Sequence, residues 1–201
     1  TAPFDAVSKY TLSVLPLFVL MGNLANSANL SRNLYDAAYA VVGHYKGGLA
    51  MSTVGACAGF GMICGSSIAT AATMSQMAGP EMKRHGYSDA LISGSIASGG
   101  TLGIIIPPSV ILVIYAYLTE QSVQELFFAA LIPGLIAVVL YMIAIRVYLI
   151  IYPSHGGYGN KMPLKERIAA ITKVFPIFLI FAIIMGGLYL GFFTATESAA
   201  V

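Results

Sequence analysis

Long apolar runs, interrupted by short clusters of glycine, serine and proline, set the pattern along this chain. Tyr10 to Ala28 is nearly free of charge and long enough to cross a bilayer, which predicts a transmembrane helix within residues 1–30. From Ser31 the pattern changes. Arg32, Asp36, His44 and Lys46 alternate with Leu34, Tyr35, Ala38, Val41 and Val42 at helical spacing. This predicts an amphipathic arm helix over residues 31–46, lying at the membrane interface.

Gly47 to Ile63 is apolar but rich in small residues, and short for a full crossing. Cys64-Gly-Ser-Ser-Ile-Ala-Thr follows, then Ala71 to Ala78 and Gly79-Pro80. Two apolar arms around a Gly-Ser-Ser tip predict a re-entrant helical hairpin over residues 47–83; non-helical backbone at membrane depth needs protein or a wet cavity around it. Residues 87–118 form another apolar segment, interrupted at Gly99-Gly100-Thr101-Leu102-Gly103 and at Pro107-Pro108-Ser109. The prolyl pair removes two backbone donors and disfavours helix at the preceding residue. The reading is a broken transmembrane helix: half-helices at about Ser88–Ser98 and Ser109–Leu118, joined by extended chain. After the acidic link Thr119 to Glu125, Phe127 to Tyr152 completes a span over residues 119–152. Residues 153–173 are expected to be a polar cytoplasmic loop carrying Lys161, Lys165, Glu166, Arg167 and Lys173. Residues 174–201 are read as a further span, Val174 to Phe192, and the start of another helix. There Thr194 or Thr196 would be the cap and Glu197 would sit in the first turn. A first residue that is not methionine and a last one inside an incipient helix read as a piece of a longer chain.

Composition agrees with the pattern. Of 201 residues only 9% are charged and 58% are hydrophobic, where soluble globular proteins carry about 25% charged residues. So few charges cannot cover a soluble surface, so the chain is read as an all-α integral membrane protein. Ten Lys/Arg against eight Asp/Glu leave no polybasic footprint, which excludes a nucleic-acid partner. Cys57 and Cys64 form no metal motif and are read as packing residues. The cations also test the hairpin. With residues 153–173 inside, a re-entrant segment puts Arg32, Lys46, Lys83, Arg84, Arg146, Lys161, Lys165, Arg167 and Lys173 on or near the cytoplasmic side and only Lys9 outside. A full crossing at 47–83 would split Lys46 from Lys83 and blur that bias.

Chemistry concentrates at the two interruptions. Gly65-Ser66-Ser67-Ile68-Ala69-Thr70 and Thr101 to Ser109 offer unwound carbonyls and small hydroxyls, the oxygen ligands a hard cation prefers. Half-helix ends add dipoles suited to ions and anionic substrates. The competing reading is close helix packing at the Gly-Ser stretches and a simple proline kink. Arg146 is expected to snorkel to the cytoplasmic boundary, and Asp89 to begin a helix. Ser66 and Ser67 lack an intramembrane His or Lys base, so the chain is not read as an enzyme. No Arg or Lys is expected near the two interruptions.

The order Gly47-Gly48-Leu49-Ala50, Gly65-Ser66-Ser67-Ile68-Ala69-Thr70, Pro80-Glu81-Met82, Gly86-Tyr87, Gly100-Thr101-Leu102-Gly103-Ile104-Ile105-Ile106-Pro107-Pro108-Ser109 and Pro133-Gly134 resembles the large membrane subunit of TRAP (tripartite ATP-independent periplasmic) transporters. Gly191-Phe-Phe-Thr-Ala-Thr-Glu197 is similar to the start of that family's second half. The resemblance implies an inverted-repeat, elevator-type carrier of the ion transporter superfamily in the bacterial inner membrane, with about one repeat present here. It implies Na⁺-coupled uptake of an organic anion, a C4-dicarboxylate, sialic acid or similar carboxylate, without ATP. The partners would be a small TRAP membrane subunit and a periplasmic substrate-binding protein. By the same resemblance Ser66, Ser67, Thr70, Gly103, Ile106 and Pro108 would hold Na⁺, and Gly65, Ser66, Ser67, Pro107 and Ser109 would face the substrate. A single-component Na⁺/dicarboxylate symporter of related fold, and an ion channel with these loops as its filter, are the alternatives.

Overall fold

The computed structural model describes residues 28–159 and 161–192, together with residues 16, 17, 20–22, 24, 194 and 197. The expected span Tyr10 to Ala28 lies mostly outside the described residues. Those described are helical, with one isolated bridge between Lys46 and Tyr158. The helices are α1 (Leu30–Val42), α2 (Gly48–Cys64), α3 (Ser67–Arg84), α4 (Asp89–Ile105), α5 (Val110–Thr119), α6 (Val123–Ile151), α7 (Leu164–Thr172) and α8 (Phe175–Tyr189).

Serine begins four of them. The hydroxyls of Ser66, Ser88, Ser109 and Ser122 accept from the N–H groups of Ala69, Leu91, Leu112 and Glu125, each satisfying an otherwise orphaned first-turn donor. Gly65 ends α2 at φ +58°, a left-handed conformation in which a side chain is strained. Further on, Thr194 and Glu197 form a reciprocal capping box. The Thr194 N–H and hydroxyl donate to the Glu197 carboxylate at 2.8 and 2.9 Å, and the Glu197 N–H donates back at 3.3 Å.

Helices α2 and α3 make a hairpin, and α4 rises beside both. Its glycines set the register. A Cβ on Gly61 would lie 2.6 Å from the Gly103 Cα, one on Gly99 2.8 Å from the Cys57 Sγ, and one on Gly100 2.9 Å from the Ala71 Cβ. Small residues four apart on α2 and α4 let two parallel backbones touch, as small-xxx-small pairs do in membrane helices. The stretch Gly99 to Gly103, expected to be extended, is therefore helical. Its glycines serve the contact with α2 and α3 rather than a break. The break is confined to residues 106–109, where α4 and α5 meet at 45°.

Helix α1 runs antiparallel along α2, with Leu34 against Gly59 and Ala38 against Gly55. Its amphipathic pattern is as read, and its apolar face is taken up by α2. Helix α6 passes the break, where Gly134 lets Ile106 approach. A second apolar cluster joins Val113 of α5, Phe127 of α6 and Ile184, Met185 and Leu188 of α8. By length and composition α6 and Leu164–Tyr189 can each cross a membrane, and α4 with α5 can form a third, broken crossing. The residue 153–173 segment, expected to be loop, holds a 3₁₀ turn (Pro153–His155) and α7. Ala170 of α7 is buried, and α7 packs on α1, contacts that the charged residues around them obscure in the sequence.

The two ends of the hairpin are tied together. The Tyr87 hydroxyl accepts from the Leu49 N–H at 3.2 Å and donates to the Gly157 carbonyl at 3.1 Å. The Gly47 N–H also donates to the Gly157 carbonyl, and the Ser88 N–H to that of His155. Lys46, Lys83 and Arg84 flank these ends, and Arg146 reaches the Lys46 carbonyl at 3.5 Å. Burial pushes the Tyr87 phenol up to about 12, against the opposing hydrogen bond from Leu49. A raised folded-state pKa means that the stabilisation is complete below the unfolded value of 10.0 and is lost as pH rises through about 12. In an ultraviolet difference titration of the full-length protein against its Tyr87→Phe variant, one phenol should still be protonated after ordinary tyrosines have ionised. Superimposable titrations would contradict the clasp.

Candidate functional site

The hairpin tip and the break in α4–α5 meet. The Val110 N–H points to the Gly65 carbonyl at 3.4 Å, and a Cβ on Gly65 would lie 2.9 Å from the Pro108 carbonyl oxygen. A Cβ on Gly103 would lie 2.8 Å from the Thr70 Oγ and 3.0 Å from the Ser66 carbonyl oxygen. Gly65, Ser66, Thr70, Gly103, Pro108 and Ser109 thus share one junction. Ser67 opens α3 beside them, its carbonyl near Gly100. Ile106 and Pro107 belong to the break, with the Ile106 side chain turned towards Gly134 and α6.

The hydrogen bonding follows from the prolines. In a continuing helix the Gly103 and Ile104 carbonyls would accept from the N–H groups of residues 107 and 108. Pro107 and Pro108 have none. The Leu102 carbonyl still receives the Ile106 N–H at 2.9 Å. The Ile104 carbonyl is satisfied by the buried Ser109 hydroxyl at 2.7 Å. Pro107 has no N–H to donate to the Gly103 carbonyl. Ser109, expected to face substrate, thus has its hydroxyl committed to Ile104 and, as a cap, to Leu112.

In the first turn of α3 the Thr70 hydroxyl donates to the Ser66 carbonyl at 2.8 Å, so its oxygen still presents lone pairs. The Cys64 Sγ lies 3.4 Å from both the Ser66 carbonyl and the Thr70 Oγ. Cys64 was expected only to pack; its thiol also closes the tip, which a lone apolar cysteine in sequence does not signal. Four helix ends meet here. Helices α2 and α4 arrive by their carboxyl ends, and α3 and α5 depart by their amino ends. Carbonyl ends attract cations, and amide ends attract anions.

A groove of about 880 Å³ between α1 and α3 is lined by Arg32, Asp36, Glu81 and His85, and extends to Ala69 just past the tip. Arg32 lines it from the amino end of α1, which runs antiparallel to α2. Among the described residues no group of three or more His, Cys, Asp or Glu could hold a metal ion. Oxygens of neutral residues are what the junction offers.

The packing sets a sharp test. Gly61→Val in the full-length protein should lower the thermal midpoint by the equivalent of about 1–3 kcal/mol, the usual range for an overpacked contact. Gly94, with open space around it, should accept alanine without loss. Equal behaviour of the two variants would count against the close contact of α2 with α4.

Comparison with known proteins places this geometry in context. The family described as "Tripartite ATP-independent periplasmic transporter, DctM component" matches residues 2–201. A C4-dicarboxylate TRAP transporter large permease protein of Pseudomonas aeruginosa is 40% identical over 198 residues, covering 98% of this chain and 46% of the relative. One of the same name from Vibrio cholerae is 37% identical over 194 residues, covering 96% and 42%. A sialic acid TRAP transporter large permease protein, also of Vibrio cholerae, is 34% identical over 197 residues, covering 97% and 45%. The chain spans a little under half the length of these relatives.

Proposed function

We propose, from the premise that this chain belongs to the DctM component family of tripartite ATP-independent periplasmic transporters, that it forms the first-repeat part of an elevator-type carrier. That carrier takes up an organic anion by coupling to Na⁺ and is not an enzyme. Membrane residence agrees with its apolar helices; the proposed setting is the bacterial inner membrane, as a multi-pass protein. A periplasmic substrate-binding protein would deliver the anion, and a small membrane subunit would complete the permease. Relatives named for C4-dicarboxylates and for sialic acid support a carboxylate as the cargo of this chain.

The observation that carries this reading is the meeting of four helix ends at the hairpin tip. Na⁺ would sit on the carboxyl ends of α2 and α4. The Gly103 carbonyl and the Thr70 and Ser66 oxygens would supply ligands, with Ser67 and the Ile106 and Pro108 carbonyls completing the set. The carboxylate would lie beside the amino ends of α3 and α5, against Gly65, Ser66, Ser67, Pro107 and Ser109. An ion joining tip to break would hold the two half-helix ends in the arrangement the anion requires, so neither binds well alone.

Uptake into proteoliposomes holding the full-length permease with its small subunit tests this. Uptake should need an inward Na⁺ gradient and the binding protein. Thr70→Val should raise the Na⁺ concentration for half-maximal uptake about tenfold, the effect of losing about 1.4 kcal/mol of ion binding. Thr70→Ser should stay near the parent. Uptake by Thr70→Val with unchanged Na⁺ dependence would remove Thr70 from the ion site. Uptake without the binding protein would favour a single-component symporter.

A further inference from the structure

A second recess lies at the opposite end of the hairpin from the tip. It measures about 360 Å³ and sits between the turn after α1, the end of α6 and the strand-like residues around Tyr158. Its polar lining is basic and aromatic: His44, Lys46 and Arg146, with Tyr45 and Tyr158. No carboxylate lines it. The Arg146 guanidinium lies 5.9 Å over the Tyr45 ring and reaches the Lys46 carbonyl at 3.5 Å. That grip uses little of its five-donor fork.

The recess is held by backbone. Lys46 and Tyr158 form an antiparallel bridge, and the Gly159 N–H donates to the Gly43 carbonyl at 3.1 Å. Together with the bond from Gly47 to Gly157, these crossings fix the walls before any ligand arrives. On its other side the recess opens onto α6, where Ile143, Val147 and Ile150 form an apolar stripe, 48–76% exposed, at spacings of four and three. Such a stripe suits hydrocarbon.

We infer that this recess is a binding site for the phosphate of an anionic phospholipid, whose acyl chains lie along the α6 stripe. A phosphodiester needs cationic donors, which Arg146 and Lys46 supply. Tyrosines at headgroup level and a neighbouring apolar wall are what separate a lipid from free phosphate. Arg146, expected merely to snorkel, becomes the principal headgroup contact. The site shares no residue with the tip junction, so it stands or falls separately from the transport reading.

The test is lipid binding to the delipidated full-length permease, followed by native mass spectrometry. Phosphatidylglycerol should bind with one tight site per chain, phosphatidylcholine should not, and inorganic phosphate should fail to displace the lipid. Arg146→Gln and Lys46→Gln should each weaken that site about fivefold, the usual effect of one cation at a lipid surface. Arg146→Lys should retain most of the binding. Arg146 is exposed and Lys46 half-buried, and an unshifted thermal midpoint in phosphatidylcholine would verify that each variant keeps the fold. Lys161→Gln with Lys165→Gln, in the following segment, should change nothing. Equal loss in that control would mean diffuse attraction and overturn the site. Displacement by phosphate, or equal retention of phosphatidylcholine, would overturn it as well.

Discussion

Everything at the junction depends on how closely three helix backbones can approach. The Gly61–Gly103 contact brings α2 within touching distance of α4, and Gly100 does the same for α3. Without a hydrophobic driving force inside a bilayer, such van der Waals contact and the hydrogen bonds it permits are what hold helices together. The contact also fixes the register. It places Gly65 opposite Pro108 and Thr70 opposite Gly103. A methyl group at Gly61 would move the tip off the break before altering any oxygen there.

The prolines act on that scaffold by subtraction. They withhold two amides from α4's last turn, so the Ile104 carbonyl turns to Ser109 and the Gly103 carbonyl loses its helical partner. The polar character of the junction thus comes from backbone more than from side chains.

Much of this was legible in the sequence. Low charge declared the membrane, Gly-Ser-Ser between two small-residue arms declared the hairpin, and Pro107-Pro108 declared the break. What misled was Gly99 to Gly103. Glycine loosens a helix and also lets a helix pack tightly, and only the partner's surface decides which applies. Helix α7 was hidden because its buried Ala170 is surrounded by charged residues. Arg32 and Arg146 were read from their positions along the chain. Their surroundings come from tertiary contacts, in Arg146's case with a residue 100 positions away.

The Tyr87 clasp has a mechanical corollary. One hydroxyl fastens the first turn of α2, the turn into α4 and the Gly157 loop at a single point. The hairpin's two feet are therefore pinned to each other and to the connection leaving α6. Removing that one hydroxyl would release all three connections at once.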